Sequence, residues 1–162
     1  MADRQKSAIE TAMPGDLLGV SEWVSVSQNM IDHFSLATLD DDPMHTDAVW
    51  AAGKGPFGTT VSYGFLTMSL LTHLMHDALR EGPAREPAES GYFLNYGFDR
   101  MRLLAPVPVD SRVRAVFHLG SRTRDASGRL RLAVDAEIQI EHADRPALSG
   151  QWLVLWVPPE AA

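Results

Sequence analysis

Apolar and polar positions change their period once along this chain, at about residue 91. From Phe65 to Leu79 the apolar side chains fall at 65, 66, 68, 70, 71, 74, 75, 78 and 79, relieved mainly by Thr, Ser and His. That is a broad stripe at helical spacing, and it predicts a long central helix over about 63–81, buried nearly all round. After Gly91 the period becomes two. A strand is expected from Tyr92 towards Leu103, a stiff connector over Ala105–Val109, and a second strand through Val113, Ala115, Phe117 and Leu119. Asp125-Ala126-Ser127-Gly128 reads as a hairpin turn. The clearest alternation follows at Leu130, Leu132, Val134, Ala136, Ile138 and Ile140, then a last strand over Ala147–Val157.

Upstream, residues 1–15 form a polar arm closed by Pro14-Gly15, and Leu17–Val26 reads as a first strand. Ser27 is placed to cap a helix through Ile31, Phe34 and Leu36 that stops near Ala37–Leu39. A short helix with Asp47 as its cap, and a Gly/Pro loop over 53–58, lead into the central helix. Pro83 and Pro87 end that helix and open a loop to Gly91. The sum is an α+β fold, one domain over 1–162, in which a twisted antiparallel sheet wraps a central helix.

Composition narrows the class. The 162 residues suffice for one sizeable core, and the net charge of −7 argues against nucleic-acid binding. With no cysteine, neither disulfides nor a thiolate site is possible. Neither a leader pattern nor a run of about 18 apolar residues is present, so a cytoplasmic protein is expected.

Chemistry concentrates in Asp40-Asp41-Asp42-Pro43-Met44-His45-Thr46-Asp47. Pro43 keeps Asp42 extended and makes the segment turn, which can bring Asp40 and His45 to one side, about one water apart. A carboxylate and an imidazole so placed suit general acid–base work. The same residues also read as solvated loop carboxylates and helix caps around an exposed imidazole. The spacing lacks the glycine and glutamate of a calcium loop, so no metal is expected. Ser62 is placed to cap the central helix, leaving the N–H of Gly64 free in its first turn for a developing oxyanion. Arg100, Arg102 and Lys54 are candidates for phosphate contacts.

These residues resemble a family. Asp40-(x)4-His45-Thr46-Asp47, Gly55-Pro56-Phe57-Gly58-Thr59-Thr60 and Tyr63-Gly64-Phe65-Leu66-Thr67 are similar to MaoC-like dehydratases, or (R)-specific enoyl-CoA hydratases, nearest the nodulation protein N branch. Asn95-Tyr96-Gly97-Phe98 and Ala105-Pro106-Val107-Pro108-Val109 continue the match. Leu39, Asp42 and Tyr63 stand where the family usually has a small residue, an Asn or Gln, and a His.

The resemblance implies a hotdog fold, usually dimeric, with an acyl-CoA thioester beside the central helix. Asp40 and His45 would hold a water that adds to C3 of a trans-2-enoyl thioester, and the N–H of Gly64 would polarise its carbonyl. Ser62, Tyr63, Phe57, Tyr96, Arg100 and Arg102 would contact substrate. No cofactor is implied beyond the coenzyme A of the substrate itself, and the partner expected is a second copy of the chain. Two alternatives remain: a hotdog acyl-CoA thioesterase, for which the helix offers only Asp77 as a base, and a catalytically silent acyl-CoA-binding subunit.

Overall fold

The computed structural model describes residues 8–82 and 86–159. Residues 1–7 of the N-terminal arm and Pro83 therefore lie outside the described residues. What is described of the arm holds a single helical turn, α1 (Ala8–Thr11), which buries Ile9. The first strand is two short pieces, β1 (Leu17–Val20) and β2 (Val24–Ser25), both antiparallel to one later strand.

Helix α2 (Gln28–Thr38) starts where expected, with Ser27 Oγ accepting the amide of Met30 at 3.3 Å. Two one- to two-turn helices follow, α3 (Pro43–Thr46) and α4 (Ala48–Gly53), the latter capped by the carboxylate of Asp47 on Trp50 N at 2.8 Å.

The central helix is α5 (Gly64–Ser69) running on through Leu70 into α6 (Leu71–Ala78). Leu70 keeps helical angles, and the bonds Leu70 N to Leu66 O and Leu74 N to Leu70 O carry the rod across. It ends short of residue 81, because Arg80 turns left-handed at φ 56°. Leu66, Leu71, Leu74, Met75 and Ala78 are buried, but Phe65, Ser69, Thr72 and His73 are exposed. The rod is thus covered on one side, not all round. Gly19 lets β1 approach it closely, since a Cβ there would lie 2.3 Å from the carbonyl oxygen of Ala78.

After α7 (Pro87–Ser90), a short helix within the expected loop, come β3 (Tyr92–Leu103), β4 (Arg112–Arg124), β5 (Leu130–Ile140) and β6 (Leu148–Val157). The sheet is antiparallel in the order β1-β4-β5-β6-β3, with β2 also on β4. Alternation decides its two faces. Phe117, Leu132, Ile138, Leu148, Val154 and their neighbours form the core with the central helix, and Arg131, Asp135 and Gln151 face away. Among the described residues no helix is long and apolar enough to cross a membrane.

The connector before β4 does more than join elements. Val61 bridges Pro108, Ser62 N donates to Val107 O at 2.8 Å, and Val109 N donates to Thr60 O at 2.9 Å. The entry to the central helix is therefore pinned to the connector between β3 and β4.

Candidate active site

Leu39 ends α2 in the left-handed region, φ 61°, and so swings Asp40 out of the helical path. Asp40 Oδ1 accepts the amide of Asp42 at 3.3 Å, a short side-chain turn. The carboxylate of Asp42 then caps α3, accepting Met44 N at 2.8 Å, with Pro43 at the first helical position where its missing N–H costs nothing. Asp42 is therefore a cap. His45 lies on this single turn, facing the helix entry.

His45 Nδ1 lies 2.7 Å from the carbonyl oxygen of Val61. A carbonyl only accepts, so in the neutral ring Nδ1 carries the proton and Nε2 is the basic nitrogen. The backbone of His45 is held as well, its carbonyl accepting Gln28 Nε2 at 2.8 Å. Gln28 Oε1 in turn accepts Thr60 Oγ1 at 2.7 Å.

Tyr63 touches both members of the expected dyad. Its ring lies 3.8 Å from that of His45, inclined at 32°, and its hydroxyl donates to the carbonyl of Asp40 at 2.5 Å. Ser35 Oγ donates to the same carbonyl at 2.6 Å, and Phe34 packs on the other side of the tyrosine ring at 5.2 Å. Only 4% of Tyr63 is exposed. Burial pushes its phenol pKa upward; the hydrogen bond with Ser35 opposes this, and the charges of Asp40, Asp42 and Asp41 reinforce it.

Gly64 follows as the first residue of α5, so its N–H lies outside the helical ladder. The side chain of Leu103 lies against it, 2.2 Å from where a Cβ would stand.

Several expectations require correction. Ser62 does not cap the helix: Tyr63 is the N-cap residue and makes no side-chain cap bond. Ser62 is instead buried, its hydroxyl donating to Tyr63 O and accepting from Thr67 Oγ1, because the 60–62 segment is turned inward against Val107–Val109. Arg100 and Arg102 are not brought to the dyad. Arg102 pairs with Ser149, and Arg100 lines a cavity of about 370 Å³ with His118, Asp135, Glu137 and Gln151, on the sheet face away from the helix. Tyr96, at an irregularity of β3, lies under the guanidinium of Arg131 on that same outer face. The reason is register: the interruptions in β3 set which of its side chains face the helix, and alternation alone did not locate them. Phe57 sits exposed in the turn after α4.

Sequence reasoning also missed residues. Gln28 and Ser35 hold His45 and Asp40 from below, and the signal available was polar side chains at 28 and 35 on the same stripe as Ile31. Among the described residues the buried polar side chains are Ser21, Ser35, Thr60, Ser62 and Thr67, and all but Ser21 belong to this place. Buried polar networks are retained where geometry has to be unique.

The family model described as MaoC like domain matches residues 10–137. Nodulation protein N of Rhizobium leguminosarum bv. viciae is 38% identical over 141 residues, covering 87% of this chain and 84% of that protein. The 3-hydroxyacyl-thioester dehydratase Z of Mycobacterium tuberculosis is 34% identical over 146 residues, covering 90% and 92%. The solved structure of the (R)-hydratase from A. caviae superposes with a TM-score of 0.69 at 18% identity, over 90% of this chain and 97% of that one. This chain belongs to the MaoC-like dehydratase family and has its hotdog fold.

Proposed function

We propose that the protein is an (R)-specific hydratase/dehydratase that adds water across the double bond of a trans-2-enoyl-CoA. The observation that carries this reading is the meeting of the Asp40 backbone carbonyl and the His45 ring on one buried tyrosine, which directly precedes the first helical residue, Gly64. The relative described as a 3-hydroxyacyl-thioester dehydratase supports the same chemistry.

In this reading His45 Nε2, left basic by the bond from Nδ1 to Val61, takes a proton from a water that Asp40 helps to orient. The oxygen of that water bonds to C3, the C2–C3 double bond breaks, and negative charge moves to the thioester oxygen. The N–H of Gly64 donates to that oxygen. The dyad then returns a proton to C2, so that one water is added overall. The dehydratase direction reverses these steps. Asp77, the carboxylate a thioesterase would use, already accepts the amide of Glu22 at 2.6 Å, which favours hydration over thioester cleavage.

The working form is a homodimer. The outer edge of β3 has no strand beside it among the described residues, and Leu94, Tyr96, Phe98 and Phe65 are exposed.

The test follows the enoyl-thioester absorbance band with crotonyl-CoA and then longer enoyl-CoAs. Wild type should bleach the band and yield the (R)-3-hydroxy product, and Asp40→Asn and His45→Ala should not. A folded wild type that hydrates no chain length overturns the reading for CoA substrates and leaves a silent acyl-CoA-binding subunit.

A further inference from the structure

We propose that Tyr63 is the positioning residue of this site, fixing Asp40 through its hydroxyl and His45 through its ring as two separable contacts. The proposal rests on the hydratase reading and extends it. Three observations carry it.

The carbonyl of Asp40 accepts two hydroxyls, Tyr63 at 2.5 Å and Ser35 Oγ at 2.6 Å, which fills both of its lone pairs. That carbonyl directly follows the left-handed residue Leu39, where the chain would otherwise be free to pivot. Second, the ring of Tyr63 covers the imidazole at 3.8 Å, and with the Nδ1 bond to Val61 this fixes both the plane and the direction of Nε2. Third, the backbone of Tyr63 is itself immobilised, its carbonyl accepting Thr67 N at 3.0 Å and Ser62 Oγ at 3.2 Å. Gly64 is the next residue. One residue therefore sets where the backbone that carries the Asp40 carboxylate, the His45 ring and the N–H of Gly64 stand relative to one another. Its phenol is buried and already donates to a carbonyl, so it is not itself placed to exchange a proton with substrate.

The experiment uses the full chain and four variants: Tyr63→Phe, Tyr63→Leu, Ser35→Ala, and Ser35→Ala with Tyr63→Phe. It reads two quantities. The first is the NMR chemical shift of the Asp40 carbonyl carbon and of the His45 ring protons, the latter displaced by the ring current of Tyr63. The second is kcat and KM for hydration of crotonyl-CoA and its longer homologues.

Tyr63→Phe should move the Asp40 carbon, leave the His45 protons in place, and lower kcat about tenfold with KM within about twofold, as a small misplacement of reacting groups does. Tyr63→Leu should move both signals and lower kcat about a hundredfold. Ser35→Ala with Tyr63→Phe should lose more than the product of the single losses, because only then does the carbonyl have no donor. An unmoved Asp40 carbon in Tyr63→Phe, a loss carried by KM alone, or strictly multiplicative losses would each overturn the proposal. A wild type inert on every enoyl-CoA, with the NMR shifts as expected, overturns the hydratase reading and the catalytic part of this proposal together. The two contacts then stand on the spectra alone.

Discussion

His45 is bonded through Nδ1 to the carbonyl of Val61, a residue pinned to the connector between β3 and β4 by its bridge to Pro108. The imidazole is thus referenced to the connector between β3 and β4, although it sits on a helix of only four residues. A one-turn helix has little stability of its own, so its register is set by contacts such as this one.

Replacing His45 with Asn separates holding from catalysis. The side-chain amide reaches the position of Nδ1 and can still donate to Val61, but it has no basic nitrogen. Hydration should fall by about 10²–10⁴, with unfolding free energy within about 1 kcal/mol of wild type. Denaturant unfolding and the enoyl-thioester assay on one preparation check both halves. An Asn variant as unstable as His45→Ala would show that the bond to Val61 does not hold the helix.

Gln28 uses both ends of its amide, donating to His45 O at 2.8 Å and accepting Thr60 Oγ1 at 2.7 Å. Gln28→Leu leaves two inward polar groups without these partners and should cost about 1–3 kcal/mol in urea unfolding. Gln28→Glu should be worse near neutral pH, since the introduced carboxylate faces the His45 carbonyl and the carboxylate of Asp32, to which Gln28 now donates. Its stability should recover as pH falls and that carboxylate is protonated. A Glu variant insensitive to pH would contradict this geometry.

Leu39 adopts φ 61° with 89% of its surface exposed, so it has backbone strain and little burial to offset it. Leu39→Gly should raise stability by about 1 kcal/mol, the left-handed penalty of a side chain less the greater freedom of glycine when unfolded. The urea midpoint measures it, and a decrease would show that the exposed leucine makes contacts this fold does not display.

Tyr63 sets an alkaline limit. Its folded pKa is raised above the ordinary tyrosine value of about 10, chiefly by burial, so folding favours the neutral phenol. The corresponding stability is fully present below about pH 10 and is lost as pH rises through the higher folded value. Tyr63→Phe should lose less stability than wild type over that alkaline interval. Parallel melting profiles would remove this attribution.

Much of this arrangement was legible because period and punctuation agreed. Leu130–Ile140 alternates so regularly that strand and buried face followed directly, and the Ser27 and Asp47 caps fixed two helix starts. Residue type and spacing singled out Asp40 and His45 as candidates. What could not be read were relationships made by backbone groups. The carbonyls of Val61 and Asp40 have no signature in a sequence, yet they position the imidazole and the tyrosine. Ser62 was misassigned because a serine before a helix looks like a cap whether or not the connector turns it inward. Arg100 and Arg102 looked like substrate contacts, and the irregular register of β3 sends them to the opposite face.

The strand order has a consequence for how the molecule is made. Among the described residues strand β3 pairs only with β6, Tyr92 meeting Val157 and Leu103 meeting Leu148, and β6 is the last of the described strands to leave the ribosome. The hairpin of β4 and β5 can form as soon as it is synthesised, but β3 must wait beside the half-built sheet with both edges unpaired. During that interval its run of Tyr92, Phe93, Leu94, Tyr96 and Phe98 is an unpaired apolar segment open to aggregation. Closing that long loop is the step at which productive folding competes with aggregation, so the yield of this protein should be decided by synthesis rate and by chaperones that shield nascent strands.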